Sequence, residues 1–324
     1  MRNDLLLKGI AADADNWIHY YNAAKACWQA YQLEKAVKVC LAYLHRQLQP
    51  PPYLRQSLRC QSPLTIILAA GGSGERWLNF TGRPKQLVDT GDGLPLIQRT
   101  IHLLSHTFQD AAIHTLVGPE QRSHYGCIKQ TEFLERVRSP DSSLYLELID
   151  VHISQRFCDA NVLWLHGDVC WSEPGVKLLR RAVDEADGLM VFGRKRRNDE
   201  YGNNGGEDFG WYLPAGCVAQ LRGWYLLAQE LYVAAPLFRL TTWEIVSLMS
   251  LALRTGAAGP QDLRARYRDP LALSRAMADV FAKRDFPPGF WVEINDATED
   301  FDFPVEYLNR LLLMVERVGR GSWS

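Results

Sequence analysis

The chain has 324 residues, with 36 Lys plus Arg against 37 Asp plus Glu, so its formal charge is −1. Near-neutrality argues against a protein whose main task is coating nucleic acid or an anionic membrane, and 47% hydrophobic residues exclude wholesale disorder. At about 150 residues per domain the length allows roughly two domains. No run of about 18 consecutive apolar residues occurs, so no transmembrane helix is expected. The apolar run at the N-terminus is too short for a secretory signal. Seven cysteines lie scattered (Cys27, Cys40, Cys60, Cys127, Cys158, Cys170, Cys217) with no CxxC pair. They read as reduced thiols of a cytoplasmic protein.

Residues 14–48 predict two helices. Trp17, Tyr20, Tyr21, Ala24, Cys27, Trp28 and Tyr31 recur at steps of three and four, and Ala36, Val39, Cys40, Tyr43 and Leu44 mark one face of the second helix. With small Ala24 and Ala36 where the helices approach, this resembles one tetratricopeptide-type hairpin. A single hairpin cannot bury both of its faces. It is expected either to lean on the rest of the chain or to offer a face to a protein partner or a second copy. Pro50-Pro51-Pro52 cannot continue a helix and favours a stiff connector. The expected division is a helical hairpin over 1–50, a proline-rich linker over 51–62 and one α/β domain over 63–324.

The α/β domain opens on Leu64-Thr65-Ile66-Ile67-Leu68-Ala69-Ala70, a short apolar run that predicts a buried strand. It runs directly into Gly71-Gly72-Ser73-Gly74-Glu75-Arg76, and Lys85 follows in Arg83-Pro84-Lys85-Gln86-Leu87. A strand ending in a glycine loop exposes backbone N–H groups, which suits a bound phosphate. Arg76 and Lys85 add two cations nearby, and a triphosphate is the ligand class for that combination. The P-loop pattern GxxxxGK[ST] is absent. The dinucleotide pattern GxGxxG fails because Trp77 stands at its third glycine. Residues 94–104 predict a helix.

The string strand, AAGGSGER, PKQL, PLIQRT resembles the N-terminal signature of the nucleotidyltransferase superfamily with a GT-A-like fold. That superfamily includes sugar-phosphate nucleotidyltransferases, cytidylyltransferases of methylerythritol phosphate and phosphocholine, and molybdopterin guanylyltransferases. The match runs through Leu68, Ala69, Ala70, Gly71, Gly74, Arg76, Pro84, Lys85 and Leu87. The resemblance implies a mixed, mostly parallel sheet with flanking helices. It also implies a nucleotide held by the backbone of Ala69, Ala70, Gly71, Gly72, Ser73 and Gly74 and by Arg76, with Lys85 beside the α-phosphate.

Asn161–His166 predicts a second buried strand that ends in Gly167-Asp168-Val169. A carboxylate at the end of such a strand faces the crevice where α/β sheets bind ligands. Mg²⁺ is commonly held by one or two carboxylates plus substrate phosphates. The resemblance assigns Asp168 to the metal, and Ser172 completes a GDVxxS variant. Near the C-terminus, Phe290–Ile294 predicts a strand and 305–318 a helix. Between them, Asp300-Phe301-Asp302-Phe303-Pro304-Val305-Glu306-Tyr307 resembles the family's D-T-P-E-D-Y string, with Asp302 on the second metal position. Asp296, directly after the strand, competes for the same duty, and Asp302 also suits the cap of the last helix.

No Gly-Thr-Ala segment precedes the Gly-Asp strand, so the base and the acceptor stay open. Tyr145–Leu148 predicts a strand. Residues 193–210 predict a polar loop, with Arg194 and Lys195 as candidate contacts to an acceptor phosphate. Residues 241–254 and 271–283 predict core or lid helices, and Trp291 predicts packing. The resemblance implies a Mg-dependent enzyme that moves a nucleoside monophosphate from an NTP to a phosphorylated small molecule. A GT-A-like glycosyltransferase and a non-catalytic member acting as a binding module are the alternatives. Neither nucleic acid nor membrane is an expected partner.

Overall fold

The computed structural model describes residues 10, 13–49, 64–71, 77, 80, 82–137, 144–195, 206–234, 242–283, 286, 289–301 and 303–322. The apolar run that begins at Leu64 forms β1 (Leu64–Ala69), buried at every position. It lies inside a sheet, with β2 (Ala112–Val117) parallel on one side and β4 (Asn161–His166) parallel on the other. β3 (Glu132–Glu135) extends the sheet beyond β2. Past β4, β7 (Gly206–Leu213) runs antiparallel between β4 and β6 (Met190–Lys195), and β8 (Trp291–Glu293) lies parallel to β6. The order is β3-β2-β1-β4-β7-β6-β8, a mostly parallel, seven-stranded mixed sheet in which β7 alone is reversed. Beyond the end of β4, β5 (Val169–Cys170) pairs antiparallel with β9 (Glu299–Asp300).

The period of two along β1 divides its side chains between two cores. Ile67 and Ala69 join one, and Ile66, Leu68 and Ala70 join the other. Burial on both faces explains why β1 and β4 read as continuous apolar runs rather than alternating ones. The first face is covered by helices α7 (Val218–Ala234), α8 (Thr242–Thr255), α9 (Pro260–Arg266) and α10 (Pro270–Lys283), and the second by α3 (Leu96–Thr107) and α6 (Glu173–Asp184). Trp291 packs on the first core with its ring 5.2 Å from that of Phe286.

A third core joins the two ends of the chain. The N-terminal hairpin, α1 (Trp17–Gln29) and α2 (Leu33–Gln47), packs against the last helix, α11 (Pro304–Gly319). Asn16 caps α1 by accepting the amide of Ile18. Ala24 and Ala36 are fully buried where the two helices meet. Gly319 lies so close to the Trp17 ring that a Cβ there would be 2.0 Å from it. The hairpin therefore buries its inner face on α11. Among the described residues, no helix is long and apolar enough to cross a membrane.

Two expected segments differ. Tyr145–Leu148 is not a strand: α4 (Leu144–Glu147) continues into a π-helical turn (Leu148–Ile153) and then α5 (Ser154–Arg156). The alternation of Leu146, Glu147 and Leu148 suits a half-buried strand only if Glu147 faces water, and Glu147 is wholly buried. Its carboxylate instead accepts from Arg136 Nε at 3.1 Å and from the amide of Val137. The polar loop expected over 193–210 begins later and ends earlier, because β6 runs to Lys195 and β7 starts at Gly206, with Arg194 paired to Glu207. Residues 196–205 lie outside the described residues.

Candidate active site at the ends of strands β1 and β4

β1 and β4 are neighbours, but the strand that follows β1 in the chain lies on its other side. Open α/β sheets take ligands at such a switch point, outside the carboxyl ends of the strands. The register pairs Ala69 with His166, so Ala70-Gly71 and Gly167-Asp168 leave the sheet side by side. The Gly167 amide donates to Ala69 O at 3.0 Å. A Cβ at Gly167 would stand 3.0 Å from that oxygen and 3.1 Å from Ala70 Cβ, so a side chain there would press the two strand ends apart by a few tenths of an ångström.

Lys85 opens a 3₁₀ turn (Lys85–Leu87) after Pro84. Its ammonium forms an ion pair with Asp168 Oδ2, both side chains being largely buried, and it also reaches Phe301 O at 3.5 Å. Burial works to raise the Asp168 pKa, but Lys85 and His166 outweigh it and hold the carboxyl below the usual range. Beneath Asp168, His166 Nε2 lies 2.9 Å from Asp208 Oδ2 on β7. Burial works to lower the His166 pKa, yet contact with Asp208 holds it above the ordinary histidine value. Two acids and two bases thus alternate at one end of the sheet.

The root of the glycine loop is fixed from below. Arg136, just past β3, donates from Nη1 to Gly71 O at 3.1 Å while its Nε bonds Glu147. The Ala70 amide bonds Leu116 O at 2.8 Å, and the buried Tyr125 hydroxyl donates to Ala70 O and Gln86 Oε1 at 3.4 and 3.3 Å. These contacts pin both arms of the site, the strand end and the segment that carries Lys85.

Of the residues singled out from sequence, Ala69, Ala70, Gly71, Lys85 and Asp168 gather at this switch point. Gly72, Ser73, Gly74, Arg76 and Asp302 lie outside the described residues, as does the side chain of Lys195. Arg194 donates to Thr298 O at 2.8 Å. Asp296 accepts the amide of Thr298 at 2.7 Å, and its carboxylate stands against Gly175 in the first turn of α6. Ser172 is the N-cap of that helix, accepting the amide of Gly175 at 2.9 Å. The N-cap position of α11 is Phe303, whose amide is taken by Glu306, rather than Asp302. Sequence reasoning gave no functional role to His166, Asp208, Arg136, Glu147 or Tyr125.

No protein-family model matches the sequence. No curated protein matches it. Among solved structures, the chain is similar to UDP-glucose pyrophosphorylase complexed with UDP-glucose, at 13% identity and a TM-score of 0.45 over 78% of this chain and 98% of that one. It is similar to CTP:phosphocholine cytidylyltransferase from Streptococcus pneumoniae, at 14% identity and a TM-score of 0.40 over 78% of this chain and 99% of that one. It is also similar to 4-diphosphocytidyl-2C-methyl-D-erythritol synthase from Anaerococcus prevotii, at 11% identity and a TM-score of 0.43 over 78% of this chain and 95% of that one. Each likeness is one of fold.

Proposed function

We propose that this chain transfers a nucleotidyl group from a nucleoside triphosphate to a phosphorylated small molecule and releases pyrophosphate. The observation that carries the reading is the meeting of Lys85 and Asp168 at the switch point, beside the strand end from which the glycine loop departs. An oxygen of the acceptor phosphate attacks the α-phosphorus, and the bond from that phosphorus to the pyrophosphate oxygen breaks. The attacking oxygen is already anionic, so no general base is needed. Catalysis then consists of positioning and charge stabilisation. Lys85 neutralises charge on the α-phosphate in the transition state, and the amides of the 71–74 loop with Arg76 hold the remaining phosphates. Behind Asp168, contact with Asp208 holds the His166 pKa above the ordinary histidine value against the effect of burial.

Among the described residues, no group of three or more metal-ligating side chains gathers. Asp168 alone fits Mg²⁺, which takes one or two carboxylates and completes its shell with phosphate oxygens and water. Asp302 is the second carboxylate in this proposal. When bound, Mg²⁺ supplies charge neutralisation on the phosphate oxygens.

The test is pyrophosphate release, measured with each of four NTPs against a panel of phosphorylated acceptors. Lys85→Ala is expected to lower turnover roughly 10²–10³-fold, the scale of removing one preorganised charge stabiliser. Glycosyl transfer without pyrophosphate release, or a Lys85→Ala variant of unchanged turnover, would overturn the proposal.

A further inference from the structure

Four stretches of chain serve the proposed site, and each sends a neighbouring side chain into the third core. Trp77 follows Arg76, Val88 stands three residues after Lys85, Cys170 two after Asp168, and Phe301 directly before Asp302. All four are buried there together with α2 and α11. Tyr307 of α11 joins them. Its ring centroid lies 5.8 Å from that of Trp77 and 5.7 Å from that of Phe301. Its hydroxyl donates to Asp89 O at 2.6 Å, and Phe301 O is the carbonyl that Lys85 Nζ reaches. Burial first, then the nearby Asp89, pushes the Tyr307 pKa well above the ordinary tyrosine value, so the hydroxyl remains a neutral donor.

The hairpin grips the same loop from the other side. His45 Nε2 lies 2.8 Å from Asp89 Oδ2. Leu44 fills the space beside Gly91, where a Cβ would stand 2.8 Å from Leu44 Cδ1. A lysine has a flexible four-carbon stem, so its ammonium sits where its surroundings put it. Besides Asp168 itself, the surroundings here include the Phe301 carbonyl and the segment that leads into Asp89, and both rest on Tyr307.

Resting on the nucleotidyl-transfer reading for the role of Lys85, we propose that Tyr307 is a positioning residue that sets Lys85 against Asp168. The N-terminal hairpin is then the wall that holds Tyr307 and the Asp89 loop. It is an integral part of the catalytic frame rather than an appended docking module.

The test uses the full chain with Tyr307→Phe, which removes only the hydroxyl, and His45→Ala, which releases the loop from the hairpin at a partly exposed contact. The first readout needs no substrate: the rate at which acetic anhydride labels Lys85, followed by mass spectrometry, with Lys129 and Lys177 as internal references. In folded Tyr307→Phe the labelling of Lys85 is expected to rise about three- to tenfold, the factor for one net hydrogen bond, with the references unchanged. His45→Ala moves Lys85 in the same direction and decides the matter alone if Tyr307→Phe does not fold. The second readout is kcat against KM for the NTP: kcat falls by a similar factor while KM changes less, whereas partial unfolding would lower labelling selectivity and active fraction together. Wild-type labelling of Lys85 in the folded variants would overturn the inference. A response at Lys85 in a protein that turns over no NTP would sink the reaction and leave the positioning role standing.

Discussion

Glu147→Ala tests the buried pair beneath the glycine loop. Glu147 is wholly buried, and Arg136 is nearly so. The carboxylate accepts from Arg136 Nε and from the Val137 amide, while the same guanidinium holds Gly71 O. Removing one partner of a buried pair costs about 3–5 kcal/mol, because the remaining charge loses its compensation. The Val137 amide loses its acceptor as well, but Val137 is exposed and water can take that place, so this adds little. Against a total stability of about 5–15 kcal/mol, breaking the pair consumes a large share. Urea denaturation should show the midpoint falling with an unchanged m-value. The double variant Arg136→Met/Glu147→Leu removes both charges and replaces them with apolar volume, so it should recover most of the loss. It should not recover turnover, because nothing then donates to Gly71 O from that side. A Glu147→Ala loss below about 1 kcal/mol, or a double variant no more stable than the single, would refute the reasoning.

Burial pulls the pKa of His102, His114 and His152 below the ordinary histidine value. For each, the unfolded chain binds the proton more readily, so stability falls as pH drops below about 6.5 toward the lower folded values. His166 is shifted the other way, so its contribution is complete below about pH 6.5 and is lost as pH rises through its folded pKa. Urea midpoints should therefore drop between about pH 7 and pH 5.5, and His152→Leu should flatten the slope; a pH-independent midpoint in the parent chain would contradict this. Gly167→Ala forces the ends of β1 and β4 apart and should cost about 1–3 kcal/mol. The shift of Asp168 from Lys85 should lower turnover by about tenfold or more, and full activity in the folded variant would count against the close approach.

What the sequence made legible was local. The run Leu64–Ala70, its glycines, Lys85 and the Gly167-Asp168 strand end stand in an order that points to one crevice, and the sheet brings Lys85 and Asp168 together there. The helices of the hairpin were legible from apolar spacing, and the helix expected over 305–318 is α11. Long-range pairing was not. Asp208 meets His166 only because β7 inserts antiparallel beside β4, and no pattern around residue 208 announces that neighbour. Glu147 was misread because a buried acid mimics the polar phase of a strand, and its partner Arg136 lies eleven residues away across residues that gave no signal. The seat of the hairpin on α11 joins residues about 270 positions apart in sequence, as between Leu44 and Met314, which both flank Gly91.

The central claim is that a polyphosphate lies between the amides that follow β1 and the ammonium of Lys85, across from Asp168. The most direct measurement is a crystal structure of the chain soaked with a non-hydrolysable NTP analogue and Mg²⁺. The account predicts the triphosphate at the carboxyl ends of β1 and β4, with Lys85 turned from Asp168 to the α-phosphate and the metal on Asp168. A nucleotide bound elsewhere, or this crevice left empty with Lys85 still on Asp168, would contradict it.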